Sequence, residues 1–132
     1  GTFTPTLYGS SGSSGVSYST RAGAYTKIGD TVHVQLFVEL TSKGTLSGSI
    51  RISGLPFTAD SGGDSYCPAA ISYSRYFTLT ADHVLQAYVN GATGYFVLQE
   101  IQFQNDATGS ITTANIADNT TIMISATYRA AA

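Results

Sequence analysis

Charge is scarce in this chain. Only 11% of its 132 residues are Asp, Glu, Lys or Arg, against about a quarter in ordinary soluble domains. The six Lys and Arg stand singly and the formal net charge is −2. No basic stripe exists for a phosphate backbone and no polybasic segment for an anionic membrane, so neither nucleic acid nor membrane insertion is expected. The single cysteine, Cys67, permits no internal disulfide, and the chain must hold together without covalent staples. No apolar run approaches the roughly 20 residues that span a bilayer. The opening Gly1-Thr2-Phe3-Thr4-Pro5 lacks the charged-then-apolar build of a signal peptide. What is present is apolar material, 42% of residues with a mean hydropathy of +0.07, which excludes charge-driven disorder. Ser, Thr and Gly supply the missing polarity, and the length suits one domain around one core.

Period-2 alternation, which sends successive side chains to opposite faces of a strand, runs through the sequence. From Thr31 to Leu40, Val32, Val34, Leu36, Val38 and Leu40 alternate with His33, Gln35, Phe37 and Glu39. Leu46 to Ser53 sets Ile50 and Ile52 against Ser49, Arg51 and Ser53, and Thr121 to Arg129 puts Ile122, Ile124, Ala126 and Tyr128 on one side. The cluster Thr41-Ser42-Lys43-Gly44 predicts a hairpin between the first two. Weaker strands are expected over Thr2 to Leu7, Val16 to Thr20, Ala24 to Ile28, Ala69 to Tyr73, His83 to Val89 and Tyr95 to Gln104, with Asn90-Gly91 opening a hairpin loop between the last two. A helical turn at Thr80-Ala81-Asp82-His83 is the alternative there, but β-branched and aromatic residues up to Val89 favour strand. Short strands at intervals of about 8 to 12 residues predict an all-β fold, an antiparallel β-sandwich of jelly-roll type. Gly9 to Gly15 reads as a mobile surface loop inside the domain.

One strand breaks the pattern. Tyr95, Val97, Ile101 and Phe103 line one face, while Phe96 and Leu98 make the other apolar as well. Such a strand is covered twice within its own fold or pressed against another subunit. Phe37, on the polar face of its strand, points the same way, and together these residues favour an oligomer.

Catalytic signatures are missing. His33 and His83 sit in no HxH or HxxxH pattern, so no metal is expected. Cys67, before Pro68 and without a CxxC partner, reads as an inert thiol. Gly12-Ser13-Ser14-Gly15 lacks the glycine spacing of a hydrolase elbow, and no phosphate-loop lysine marks a cofactor site. Asp60, Asp64, Asp82, Glu100, Asp106 and Asp118 are the carboxylates from which a glycosidase pair would come. Most lie beside Gly, Ser or Asn, where aspartate bonds local backbone N–H groups. No enzymatic activity and no cofactor are expected.

Several stretches carry a resemblance: Gly1-Thr2-Phe3-Thr4-Pro5-Thr6-Leu7, then Gly23-Ala24-Tyr25-Thr26-Lys27-Ile28-Gly29-Asp30-Thr31-Val32, then Leu40-Thr41-Ser42-Lys43-Gly44, then Ile52-Ser53-Gly54-Leu55-Pro56-Phe57-Thr58, and the ending Ser125-Ala126-Thr127-Tyr128-Arg129. In this order they resemble the C-terminal domains of bacteriophage tail fibres and tailspikes. Phe3 departs from the tryptophan common there, and Asp60 to Tyr76 follows no pattern of that family. The resemblance implies that residues 1–132 are a single C-terminal tip domain of a longer fibrous chain, a homotrimer at the distal tip of the virion. Its partners would be the upstream fibre shaft and a bacterial surface glycan, capsule or lipopolysaccharide.

Three functions compete: a receptor-binding tip, a structural cap that trimerises the fibre, and a depolymerase. The first fits the aromatic and polar groups gathered between Asp60 and His83. Tyr66 and Tyr76 offer flat apolar rings with a polar handle for a sugar. Asp64, Arg75, Asp82 and His83 offer planar or bidentate partners for vicinal hydroxyls or an acidic sugar. Glycines 62 and 63 would let a loop present them. Tyr73 and Phe77 share the parity of Ile71 and are expected in the core.

Overall fold

A computed structural model of the chain describes residues 1–62, 66–102, 104 and 107–132. Among these residues there are twelve strands and a single turn of 3-10 helix at Thr113–Asn115. The strands are β1 (Thr2–Phe3), β2 (Thr6–Gly9), β3 (Gly12–Ser14), β4 (Ser17–Ile28), β5 (Thr31–Ser42), β6 (Thr45–Ser47), β7 (Ile50–Ser53), β8 (Cys67–Phe77), β9 (His83–Val89), β10 (Tyr95–Gln102), β11 (Thr108–Ser110) and β12 (Ile116–Arg129). The fold is all-β and antiparallel, as the alternation predicts.

One sheet carries most of the chain, in the order β1-β4-β5-β12-β8-β9-β10-β7-β2. It curls on itself, because the alternating apolar residues at both ends of that order share one core. Val32, Val34, Val38, Ile122 and Tyr128 come from β5 and β12, and they cluster with Leu7, Ile50, Ile52, Phe96 and Leu98 from β2, β7 and β10. Burial of these aliphatic and aromatic side chains is the main stabilising term, at about 1.5–3 kcal/mol each. The two free ends of the sheet are stitched together by side chains. The Leu7 N–H donates to the Tyr18 hydroxyl at 3.0 Å, and Arg21 Nη1 reaches Thr6 Oγ1 at 3.3 Å. Tyr128, buried in the core, donates its hydroxyl to the Phe57 carbonyl at 2.9 Å. Burial pushes the Tyr128 phenol up to about 12.

The predicted hairpin between Thr31–Leu40 and Leu46–Ser53 does not form. Both edges of β5 are taken, by β4 on one side and β12 on the other. The chain does turn at Gly44 (φ 57). It then splits at Gly48 (φ 79) into β6, which pairs with β3, and β7, which pairs with β10 and β2. Two residues of positive φ so close together redirect the chain to the other layer. Gly12–Ser14, expected as a mobile loop, is therefore the partner of β6, and the Ser10 and Ser11 N–H groups donate to Ser49 and Ser47 carbonyls. Gly44 is required by packing as well as by φ, since a Cβ there would lie 2.1 Å from the Ser14 carbonyl oxygen.

Val16 to Thr20 and Ala24 to Ile28 merge into the single strand β4. Its weakly apolar middle is explained by Gly23, over which the Phe3 ring lies. The hairpin at Asn90-Gly91 forms as expected, with Val89 opposite Phe96 and Tyr88 opposite Val97. Phe96 and Leu98 face the core, and Val97 on the other face is only 9% exposed. Val97 is thus shielded within one chain, while Tyr95 and Ile101 on the same face stay half-buried. Phe103 lies outside the described residues.

Candidate functional site

Strand β8 should place Arg75 and Phe77 on the same face and Tyr76 opposite, yet Arg75 and Tyr76 are both exposed while Phe77 packs on the core. Two irregularities cause this. A register shift against β12 between Met123 and Ile124 reverses the parity after Ile71, which turns Tyr73 outward opposite Met123. Tyr73 is 41% exposed, so its expected place in the core is corrected by that bulge, whereas Phe77 does pack against the core. Tyr76 then has φ 62, a left-handed conformation that a bulky residue seldom adopts. The Tyr76 carbonyl is held by the buried Thr120 hydroxyl at 3.0 Å, and that hydroxyl accepts from the Ala117 N–H at 2.8 Å. Strain of this kind persists only where neighbours enforce it.

The result is an exposed tyrosine–arginine–tyrosine cluster. Arg75 Nη1 donates to the Tyr73 hydroxyl at 3.3 Å and Nη2 to the Tyr76 hydroxyl at 2.7 Å, and the guanidinium lies 4.8 Å from the Tyr76 ring centre. The hydrogen bond to Tyr73 and the nearness of both phenol oxygens raise the Arg75 pKa. Among the described residues the one ion pair is Arg129 with Asp30 at 3.0 Å, so Arg75 has no carboxylate partner there. Two phenols and a cation with spare N–H donors suit a hydroxyl-rich or acidic ligand.

The remaining predicted residues are spread out. Asp82 (φ 62) and His83 stand at the start of β9, the end nearer to Tyr76, and His83 Nδ1 bonds the Ala81 carbonyl at 2.8 Å. Tyr66, 64% exposed, stands before the other end of β8, ten positions from Tyr76, or about 33 Å along an extended strand. It meets Tyr88 instead, with ring centres 6.0 Å apart. Asp64 lies outside the described residues. Arg75 and Tyr76 are thus joined directly, and Tyr66 belongs to a different surface.

Carboxylates act mainly on backbone. Asp60 accepts from the neighbouring Ser61 N–H, as its turn setting predicts, whereas Asp118 lies within β12 and accepts from the N–H of Lys43, 75 residues away. Glu100, 8% exposed, accepts from the Thr80 hydroxyl at 2.6 Å and the Thr80 N–H at 2.8 Å. Those two bonds, the hydroxyl first, hold its pKa below the usual carboxylate value. Among the described residues no three of His, Cys, Asp and Glu come together.

The two outer faces of the curled sheet differ in chemistry. Across β4, β5, β12 and β8, the residues Ala22, Phe37, Met123 and Tyr73 stand opposite one another in a single apolar row. A shallow depression of about 530 Å³ lies over this region, bordered by Ala22, Ala24, Gln35, Phe37, Met123 and Ser125, with no titratable side chain in its lining. Across β2, β7, β10 and β9, the corresponding row is Tyr8, Arg51, Val97 and Tyr88. Sequence reasoning passes over Arg51, Tyr88 and Tyr95, since only the register between distant strands brings them together.

No protein-family model matches the chain, and none of the curated proteins compared with it matches. Among solved structures the chain is similar to the crystal structure of Dettilon tailspike protein (gp208), with a TM-score of 0.80 and 17% sequence identity. The likeness covers 98% of this chain and 23% of that one, so the chain spans less than a quarter of the tailspike's length. At this identity what the two share is the fold, a curled antiparallel β domain.

Proposed function

We propose that this domain is a phage tail module that binds a bacterial surface polysaccharide, capsule or lipopolysaccharide, during adsorption. The observation that carries the reading is the likeness to part of a tailspike over nearly the whole chain, at a TM-score of 0.80. The sequence resemblance to tail fibre and tailspike C-terminal domains agrees with it. The Tyr73–Arg75–Tyr76 cluster supplies exposed rings and a cation free of carboxylate neighbours among the described residues, the chemistry sugar recognition uses. In this reading the domain sits at the distal tip of the virion, follows a fibre shaft, and has no hydrolase or lyase activity of its own. Saturable binding of the purified domain on an array of bacterial surface glycans is the expected result. An array without a bound feature refutes glycan recognition, and release of reducing ends from a bound polysaccharide refutes the non-enzymatic reading.

A second reading, a structural cap that trimerises the fibre, is favoured by the Ala22–Phe37–Met123–Tyr73 row. A row of apolar side chains across four strands, with Met123 40% exposed, is a surface that a second copy would cover. Cyclic threefold closure would bury the row in every copy and leave none free. The two readings meet at Tyr73, which belongs to both the row and the cluster: in a homotrimer that covers the row, the sugar would be left to Arg75 and Tyr76. Light scattering is expected to give a trimer for the parent and a monomer for Phe37→Glu with Met123→Lys. A parent that is monomeric at micromolar concentration refutes the trimer.

A further inference from the structure

Resting on the polysaccharide reading, we infer that an acidic glycan is bound on the outer face of β2, β7, β10 and β9, along the row Tyr8–Arg51–Val97–Tyr88, with Arg51 taking the sugar carboxylate. This surface is separate from the Tyr73–Arg75–Tyr76 cluster.

Arg51 carries the inference. It lies in the middle of β7 with neighbouring strands on both sides, Tyr8 opposite on β2 and Val97 opposite on β10. Its guanidinium carbon lies 4.7 Å from the centre of the Tyr95 ring. Its Nε is buried and has no hydrogen-bond partner among the described residues, and no carboxylate among them pairs with it. Nε itself is buried beyond a ligand's reach, but Arg51 as a residue is only half-buried, so a carboxylate from outside would meet this uncompensated cation at its terminal nitrogens. The planar fork of arginine matches a carboxylate through two parallel bonds.

The surroundings of Arg51 fit a sugar chain rather than a compact ion. Tyr95 is braced in two ways: its ring meets Tyr8 edge-on at 6.4 Å, and its hydroxyl accepts from Asn90 Nδ2 at 3.2 Å. On the far side of Val97 the row continues to Tyr88, which is opposite Pro68 on β8 and touches the exposed Tyr66. Strands in a sheet are about 4.8 Å apart, so the row from Tyr8 to Pro68 extends about 19 Å. Rings at both ends with a cation between them therefore suit a short run of linked pyranoses, whose C–H faces stack on the tyrosines. On the opposite outer face the centre is the apolar row and its uncharged depression, with Arg75 beside Tyr73 at one edge, so no cation there lies between rings along the row.

The test is an NMR titration of the full chain with three probes: oligogalacturonate, oligomeric sialic acid and neutral dextran. At least one acidic probe is expected to shift the Arg51 Nε–H signal and the ring signals of Tyr88 and Tyr95, with dextran leaving them in place. Arg51→Met, which keeps the aliphatic stem, is expected to weaken that binding about tenfold or more. Arg51→Lys should retain part of it, and 0.5 M salt should weaken the parent. If Arg51→Met proves poorly folded, Tyr88→Ala, at the other end of the row, is read for the same loss. Shifts confined to Arg75, Tyr73 and Tyr76 overturn this assignment while leaving the proposed function standing. Equal response to dextran overturns the acidic ligand, and no shift at Arg51 with either acidic probe overturns the site.

Discussion

Tyr76 gives the sharpest test of how this fold builds an exposed cluster, because its φ of 62 reverses an ordinary rule. In an extended strand Gly is less stable than Ala by about 0.5–1 kcal/mol, since Gly has more unfolded freedom to lose. In the left-handed region a side chain costs about 1–2 kcal/mol that Gly does not pay. Tyr76→Gly and Tyr76→Ala both lose the contacts to Arg75, so their difference isolates the backbone. Gly is expected to be the more stable by about 0.5–1 kcal/mol, the balance of those two terms. At Gln35, exposed on an ordinary stretch of β5, the order is expected to reverse. Thr120→Val tests what holds the strained residue, because it leaves the Ala117 N–H and the Tyr76 carbonyl without their partner. Two unsatisfied groups beside a buried position put that cost at about 2–4 kcal/mol. Urea unfolding followed by circular dichroism at one protein concentration reads all of these. If Ala at 76 matches or exceeds Gly, the positive φ is not what turns Tyr76 toward Arg75, and the account of the cluster fails.

Three further expectations follow from buried groups and turns. Glu100 is stabilised as a carboxylate by Thr80, so its contribution is full above the unfolded carboxylate pKa and is lost as pH falls through its lowered folded pKa; urea melts of parent and Glu100→Gln should converge at acid pH, and a constant gap would refute the role. Tyr128 runs the other way: the unfolded phenol ionises near 10 and the folded one near about 12, so stability is full below 10 and falls as pH rises through that window. Tyr128→Phe should flatten this alkaline loss while being less stable at neutral pH. Gly29 and Gly44 both have positive φ, but a Cβ at Gly29 meets nothing within 4 Å and one at Gly44 strikes Ser14. Thermal melts should therefore show Gly29→Ala losing about 0.5–1 kcal/mol, the same balance as at position 76, and Gly44→Ala distinctly more, and equal losses would refute the packing account.

The alternating strands were legible because burial on one face imposes a period of two, and Val32 to Leu40 and Ile122 to Tyr128 keep that period without a break. Pairing was less legible. The turn at Gly44 looks like a hairpin, but whether two strands joined by a turn actually pair depends on what else competes for their edges, and β12 arrives from 80 residues away to take one. Tyr73 shows the other limit: parity carried forward from Ile71 fails once a bulge is crossed, and no residue in Ala69–Tyr73 announces the bulge. Arg75 and Tyr76 were found as neighbours in sequence, which is a local property. Along the chain Arg51 is only the polar half of an alternating strand, because its neighbours Tyr8, Tyr88 and Tyr95 come from three other strands. Surface recognition built across a sheet is invisible to a reading that moves along the chain.

The position of β12 sets the order in which the molecule can be completed. It lies in the interior of the sheet, with Arg129 opposite Thr31 and Ser125 opposite Ala70, although it follows all the other described strands in chain order. Until it is made, β5 and β8 each present an open edge, and the two parts of the sheet that β12 joins share no strand pairing, only the side-chain bonds of Tyr18 to Leu7 and Arg21 to Thr6 among the described residues. Completion of the sheet therefore waits for β12, and contacts so distant in sequence make the closure slow. A chain that stopped before Ile116 would expose both edges at once, the condition that favours aggregation.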